Sequence, residues 1–285
     1  MALVWAVLLA AGLEGVSQSP DVAVAARSVR PGELVVLTLT EPADIDTVHV
    51  RVSDRDVPVF PAGAHTWRAL VGIDLATPPG RYPMSIEGGA EGRAIRRRYE
   101  LHVLPRTFAT RQLRVDQAFV NPPADAQERI DREAADLRRL WSSITPARLW
   151  SEHFVRPVPG LVTSRFGSRS VFNGVPRPPH GGTDFSSPAS TPVHAPAGGR
   201  AVLVRELYFS GNTVVIDHGQ GLLSLLAHLS AFDIAEGDAV VAGQIIGRVG
   251  ATGRVTGPHL HWAVHVTGAR VDPLSVLALL GRDRP

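Results

Sequence analysis

The chain has 285 residues, 44% of them hydrophobic and 20% charged, with a formal net charge of +2. That length can bury a sizeable core and accommodates two domains, and the composition is that of a folded globular protein, neither disordered nor fibrous. All 29 basic residues are arginines scattered without a basic, aromatic-interleaved stripe, which argues against nucleic acid as a partner, and the lack of cysteine excludes disulfides, thiolate metal ligands and a thiol nucleophile.

An apolar run from Ala2 to Gly12 precedes the first charge, Glu14. It is too short for a membrane-spanning helix, which needs about 20 residues. With the small residues Gly15 and Ser17 following, it reads as the apolar part of a secretory signal over residues 1–17, or a short anchor if uncleaved, although a charged leader is missing. The expectation is an exported protein of the bacterial periplasm or cell envelope, touching membrane only through that anchor.

Residues 18–106 read as an immunoglobulin-like β domain. Val48, Val50 and Val52 alternate with polar neighbours, as do Tyr82, Met84 and Ile86, then Tyr99, Leu101 and Val103. Turn chemistry separates them at Pro31-Gly32, Pro78-Pro79-Gly80 and Gly88-Gly89. His49, His65 and His102 are isolated and read as structural. Residues 107–157 form a helical connector. Ile130, Ala134, Leu137, Trp141 and Ile144 mark one helical face, Asp125 and Glu128 have capping-box spacing, and Pro146 ends the run. From 158 to 285 short β-type runs alternate with Gly turns, and Leu274–Leu280 suits one short closing helix. The predicted fold class is therefore all-β in two domains.

Seven of the 11 histidines lie in this last part. Two patterns stand out, His180-Gly-Gly-Thr-Asp184 and His259-Leu260-His261. The paired glycines disfavour a helix at the first, and in extended chain residues i, i+2 and i+4 share a face. Two such faces brought together would surround one point with imidazoles and a carboxylate. Three ligands of that kind with water in the fourth position suit catalytic zinc. A further histidine nearby would serve as acid–base or as donor to a developing oxyanion. Taken alone each pattern is weak, because short histidine spacings arise by chance. There is no G-x-S-x-G, H-E-x-x-H, Walker loop or dinucleotide fingerprint.

Residues 163–273 resemble the M23 peptidases, the lysostaphin/LytM-type zinc endopeptidases. The matching stretches are SRFG (164–167), HGGTDF (180–185), STPVHAPAGG (190–199), NTVVIDHGQGL (212–222), AHLS (227–230), EGDAVVAGQIIGRVGATGRVTGPHLHW (236–262) and VDPL (271–274). The resemblance implies a LytM-type antiparallel β-sheet metallopeptidase domain holding one Zn2+, with His180, Asp184 and His261 as ligands. It implies His228 and His259 as the catalytic pair, one acting as general acid or base and the other orienting or stabilising the intermediate. The implied reaction is hydrolysis of peptide bonds in peptidoglycan cross-links or stem peptides by metal-bound water, so peptidoglycan peptides are the expected partner. Two alternatives stand beside it: a non-catalytic LytM-like regulator or activator of cell-wall amidases, and a secreted metalloprotease acting on Gly-rich proteins. Leu226 departs from the family, which often has Tyr there, and the expected consequence is altered substrate packing. His194 and His218 read as structural, His265 as an exposed or packed residue, and His153 as incidental.

Overall fold

A computed structural model describes residues 4–7, 21–40, 45–90, 93–114, 122–151 and 153–281. Its strands in the N-terminal part are β1 (Val4–Val7), β2 (Asp21–Ala26), β3 (Leu34–Thr40), β4 (Thr47–Val52), β5 (Arg55–Val57), β6 (Val59–Gly63) and β7 (Thr66–Gly72). The long hairpin β8 (Gly80–Ala90) and β9 (Arg93–Val103) completes it. They form two sheets, ordered β1-β2-β3-β7-β6 and β5-β4-β8-β9. The alternating valines point between them: Val50, Val57, Met84, Ile86, Tyr99 and Leu101 meet Val35, Leu37, Leu39 and Val71 in one core. This is the two-layer sandwich that the period-2 pattern predicts. Most of the predicted leader lies outside the described residues, and within it Val4–Val7 pairs antiparallel with β2.

Strand β10 (Thr110–Leu113) and helix α1 (Gln127–Ser142) follow. Asp125 and Glu128 do not make the expected capping box. A 3-10 turn over Ala124–Ala126 precedes α1, and no side chain caps it. Ile144 falls beyond the helix end and is 48% exposed, so the face packed on the sheet is Leu137, Leu140 and Trp141.

The C-terminal part contains β11 (Leu161–Ser164), β12 (Arg169–Phe172), β13 (Val175–Pro176), β14 (Gly182–Ser186), β15 (Pro192–His194) and β16 (Gly199–Leu207). It continues with β17 (Gly211–Asp217), β18 (Leu222–Phe232), β19 (Ala239–Val240), β20 (Ile245–Val249), β21 (Leu260–Val266) and β22 (Ala269–Val271). Helix α2 (Pro273–Leu280) closes the chain, with Pro at its first turn and Asp272 accepting from the Leu274 amide at 3.0 Å. The main sheet runs β11-β14-β21-β18-β17-β16-β19, with neighbours antiparallel. The connector also contributes directly, since β10 adds to the β12–β13 hairpin as a parallel edge strand.

Both faces of the main sheet are covered. Leu222, Leu226, Leu260, Trp262, Val264 and Val266 belong to the larger core. Leu223, Leu225, Ala227 and Ala263 belong to a smaller one, under Leu137, Leu140 and Trp141 of α1. Leu226 is fully buried in the larger core. Substitution there changes core packing, not the substrate-facing surface expected from the sequence.

The two parts share their interior. Leu34, Val36, Phe60 and Leu70 of the sandwich join the larger core of the C-terminal sheet. Phe60 meets Trp150 edge-on at 5.6 Å. A buried ionic cluster also joins the two parts. Arg27 donates twice to Glu33 at 2.9 Å and once to Asp272 at 2.7 Å. Arg106 donates to Glu33 at 3.0 Å and Ser275 donates to it at 2.8 Å. The Leu34 amide in turn donates to the Ser275 hydroxyl. Arg270 grips Asp74 in a second inter-domain pair.

Removing one member of a buried ion cluster costs about 3–5 kcal/mol, because the remaining charges are left desolvated without a partner. Glu33→Ala is expected to destabilise the full chain by about that amount. Unfolding followed both by tryptophan fluorescence and by circular dichroism should give one coincident transition, and two separated transitions would show independent domains. A second expectation concerns acid. Burial lowers the pKa values of His218 and His265 to about 4. Between the unfolded value near 6.5 and the folded value, the unfolded chain binds protons that the folded one refuses. Stability present above pH 6.5 is therefore expected to fall as pH drops towards 4, by about 3 kcal/mol for each histidine. Urea titrations across that range test it, and His265→Gln should flatten the slope.

Candidate metal centre

Strand register assembles the site. In β14 against β21, Asp184 lies directly opposite His261, and in β18 against β21, Ala227 does. Directly opposed residues share a face, so Asp184 and His261 emerge together on the face that carries Ala263 and His265 further along. Trp262 and Leu260, between them, enter the core. His180 precedes β14 and is held by backbone bonds, its amide to the Ser168 carbonyl at 2.9 Å and its carbonyl from the Gly167 amide at 2.8 Å. A side chain at Gly182 would collide with the His261 ring and the Trp262 carbonyl, which accounts for glycine at that place in HGGTD.

The three residues converge. His261 Nδ1 is 2.8 Å from Asp184 Oδ1, His180 Nε2 is 3.0 Å from the same oxygen, and the two imidazole nitrogens are 3.0 Å apart. These donor atoms form the one group able to hold a metal ion among the described residues. Two imidazole nitrogens and a carboxylate oxygen are the donor set of an open zinc site. His180 places its Nδ1 on the Arg165 carbonyl at 3.1 Å, which turns Nε2 towards the cluster. Burial opposes charge at all three positions. It is outweighed at Asp184, whose carboxyl is held far below the usual range by hydrogen bonds from His180 and His261. His180 is raised because its bond to Asp184 prevails over burial, whereas burial keeps His261 lowered.

Two more imidazoles flank the group. His228 and His259 have ring centroids 4.9 Å apart, and His228 lies 5.9 Å from His261. His259 Nε2 is 4.0 Å from Asp184 Oδ1. Each turns its other nitrogen to the backbone: His228 Nδ1 donates to the Thr252 carbonyl at 3.0 Å, and His259 Nδ1 to the Gly257 carbonyl at 2.8 Å. Both therefore carry the proton on Nδ1 and offer Nε2 as an acceptor. Burial, then the positive charge of a protonated His261, lowers the His228 pKa to about 3, so this ring is neutral at pH 7.

His228 reaches the site through a backbone irregularity. Its φ is +65°, in a β-bulge where β18 carries one more residue than β17. There β18 leaves β21 and takes β20 as its partner. Regular alternation would send His228 to the face opposite Ala227 and His261, and the bulge returns it.

All five residues singled out in the sequence thus meet on one face. His218 does not join them. It is fully buried, donating to the Gly198 carbonyl and accepting from Ser224, whose oxygen also receives the Trp262 indole N–H. His265 is packed as well, stacked on Trp141 at 3.9 Å. The orienting carbonyls of Arg165, Thr252 and Gly257 left no mark in the sequence, since any residue supplies a carbonyl.

The model of peptidase family M23 matches residues 178–273. A crystal structure from Pseudomonas aeruginosa, assigned by name to peptidase M23, superposes with a TM-score of 0.67 at 32% identity, over 88% of this chain and 95% of that one. The chain belongs to peptidase family M23. A DD-carboxypeptidase/endopeptidase Mpg of Neisseria meningitidis is 47% identical over 97 residues, 34% of this chain and 22% of that protein. The peptidoglycan DD-endopeptidase ShyA of Vibrio cholerae is 41% identical over 114 residues, 40% of this chain and 26% of that protein. The matched region thus spans about a quarter of these curated relatives. The P. aeruginosa superposition extends over the sandwich of this M23 chain too, beyond the family-model match.

The support beneath His228 can be tested. Gly211 has φ +61°, and a side chain there would strike Thr252. Thr252 also accepts from the Asn212 amide and donates to the Leu229 carbonyl. Gly211→Ala is expected to shift the Thr252 carbonyl away from His228. Hydrolysis should fall at least about tenfold, as for a misplaced catalytic group, while metal content by elemental analysis stays at the wild-type level.

Proposed function

We propose that this chain is a zinc-dependent endopeptidase that hydrolyses peptide bonds in peptidoglycan cross-links or stem peptides. The observation that carries the reading is the convergence of His180, Asp184 and His261 donor atoms beside the outward Nε2 atoms of His228 and His259. A zinc ion held by those three donors supplies Lewis-acid polarisation of a carbonyl and brings the pKa of a water molecule to about 7.

The chain's own residues do the rest. His228 and His259, with Nδ1 fixed on backbone carbonyls, act as the pair that takes a proton from the attacking water and passes one to the leaving amine. The ring not engaged in that transfer accepts a hydrogen bond at Nε2 from the attacking water and so orients it. Asp184 stays ionised and neutralises charge at the centre. The partial burial of all five groups excludes bulk water and strengthens these interactions.

The substrate class rests on the names of the relatives, a DD-carboxypeptidase/endopeptidase in Neisseria and a peptidoglycan DD-endopeptidase in Vibrio. An envelope location follows from that substrate. Among the described residues no helix is long and apolar enough to cross a membrane. A purely regulatory module has no need of five converging polar side chains, so the catalytic reading is preferred.

Because the core is shared between the two parts, the full chain is the proper test object. Purified peptidoglycan is incubated with it, with and without chelator, and products are read by mass. Chelator-sensitive release of peptides cut between amino acids is expected. His180→Ala and His261→Ala should lose both metal and activity. His228→Ala should keep the metal and lose about 100-fold or more in rate. A fully active His228→Ala variant, or a folded, zinc-loaded chain that leaves peptidoglycan intact, would overturn the reading.

A further inference from the structure

The turn between β16 and β17, residues 208–210, is bonded to the supports of His228 on one side and to α1 on the other. The Ser210 carbonyl accepts from the His228 amide at 2.9 Å. The Phe209 carbonyl accepts from the Arg254 amide at 2.9 Å, in the loop that supplies the Thr252 and Gly257 carbonyls. Just after the turn, the Asn212 amide donates to Thr252 Oγ1 at 2.9 Å, and the Thr252 carbonyl receives His228 Nδ1 at 3.0 Å. Both hydrogen-bonded ends of His228, its amide and its ring, are therefore tied to this one turn.

On the other side the turn is held by α1. Glu133 Oε2 accepts from the Tyr208 amide at 2.7 Å, and Oε1 accepts from Arg129 Nε at 2.7 Å. Around this bond Arg129 lies 3.6 Å from Glu206, Asp136 pairs with Arg205, and Leu137 and Leu140 pack on the cluster containing Leu203 and Leu207. Ion pairs between exposed side chains restrain little, because solvent screens them and both side chains lose freedom. The Glu133 bond is of another kind. A carboxylate on a backbone N–H makes a short, charge-assisted bond, and this one grips the main chain two residues before the Ser210 carbonyl. Apolar packing sets where α1 lies on the sheet, and Glu133 sets where the turn lies against α1. In so short a turn, with Gly211 at φ +61° behind it, a displaced Tyr208 carries Ser210 along.

We propose that Glu133 is a positioning residue for His228, acting through the Tyr208 amide and the Ser210 carbonyl. It stands outside the histidine cluster and outside residues 178–273, which match the family model. The connector helix is thereby a working part of the site. The kinetic consequence rests on the peptide-hydrolase reading, whereas the placement of His228 does not.

The test uses the zinc-loaded full chain, a synthetic cross-linked stem peptide and three variants. Glu133→Ala removes the acceptor, Glu133→Asp keeps the charge but withdraws it by one methylene, and Glu133→Gln keeps the reach without the charge. Glu128→Ala is the control, since Glu128 pairs with Arg132 on the same helix and is exposed. The backbone amide and ring Nδ1–H lines of His228 are followed by NMR in nitrogen-15-labelled protein. The Nδ1–H of His218, bonded to the Gly198 carbonyl, serves as internal reference. Line positions report the folded molecule, so plain destabilisation leaves them in place.

Glu133→Ala and Glu133→Asp are expected to shift both His228 lines, leave His218 alone, and lower kcat at least about tenfold. KM and zinc content should not change, because the displaced group acts on the reacting atoms. Glu133→Gln and Glu128→Ala should stay near wild type in every readout. Unmoved His228 lines in Glu133→Ala and Glu133→Asp overturn the proposal. So does a Glu133→Asp enzyme more active than Glu133→Gln, which would assign the residue a plain charge role. The Asp and Gln variants decide the matter between them if Glu133→Ala does not fold. Shifted His228 lines in a chain that cleaves no peptide would sink the hydrolase and keep the positioning, whereas turnover with unmoved lines would do the reverse.

Discussion

Everything at the centre depends on the two-residue period of β21. Trp262 and Val264 are fully buried in the larger core, and the same pleat that puts them there puts His261 on the other face. A slip of one residue would exchange the faces of the imidazole and the indole, so hydrophobic burial fixes the position of His261. The antiparallel neighbours copy this choice sideways: Asp184 is opposite His261 in β14, and Ala227 is opposite it in β18. The candidate metal centre is thus a by-product of core packing, with positive-φ backbone among its five residues only at His228.

That exception is informative. A non-glycine residue at positive φ is unfavourable by about 1 kcal/mol or more, and here it sits in a bulge where one strand changes partners. The surroundings hold it: the His228 amide donates to the Ser210 carbonyl, and its ring to Thr252. The bulge does two jobs, turning the histidine to the working face and letting β18 run on to β20. His180, His228 and His259 share one device, a backbone carbonyl taking the Nδ1 proton so that Nε2 faces the cluster. Backbone carbonyls are rigid where side chains would wander, and orientation is therefore fixed before any metal or substrate arrives.

The sandwich is fused to this sheet, not strung beside it. Its apolar residues enter the larger core, and Arg27 and Arg106 of the sandwich hold its Glu33 while Arg27 also reaches Asp272 of the C-terminal part. Asp272 also caps α2 and receives the Thr183 hydroxyl from the strand that carries Asp184. An ionic cluster of this kind adds little net stability compared with apolar residues of the same shape, but it punishes any arrangement that separates its members. The consequence is one defined placement of the sandwich relative to the groove. On the other side α1 lies on the face that carries the centre, through Trp141 on His265 and through Glu133 accepting from the Tyr208 amide.

Local pattern alone determined much of this. Alternating valines specified the strands, glycine and proline their turns, Pro273 and Asp272 the start of the closing helix, and H-x-x-x-D with H-x-H the candidate ligands, because strand and helix periods are properties of neighbouring residues. Other features required distant parts of the chain to meet. The role of Leu226 as a core residue, the stacking of His265, the position of Ile144 outside the helix and the joining of β10 to the β12–β13 hairpin depend on which surfaces are covered. The orienting carbonyls are likewise invisible in a linear reading. A side chain's chemical type is written in the sequence, whereas its burial, its partner and the direction in which it offers a lone pair are set by residues far away in the chain.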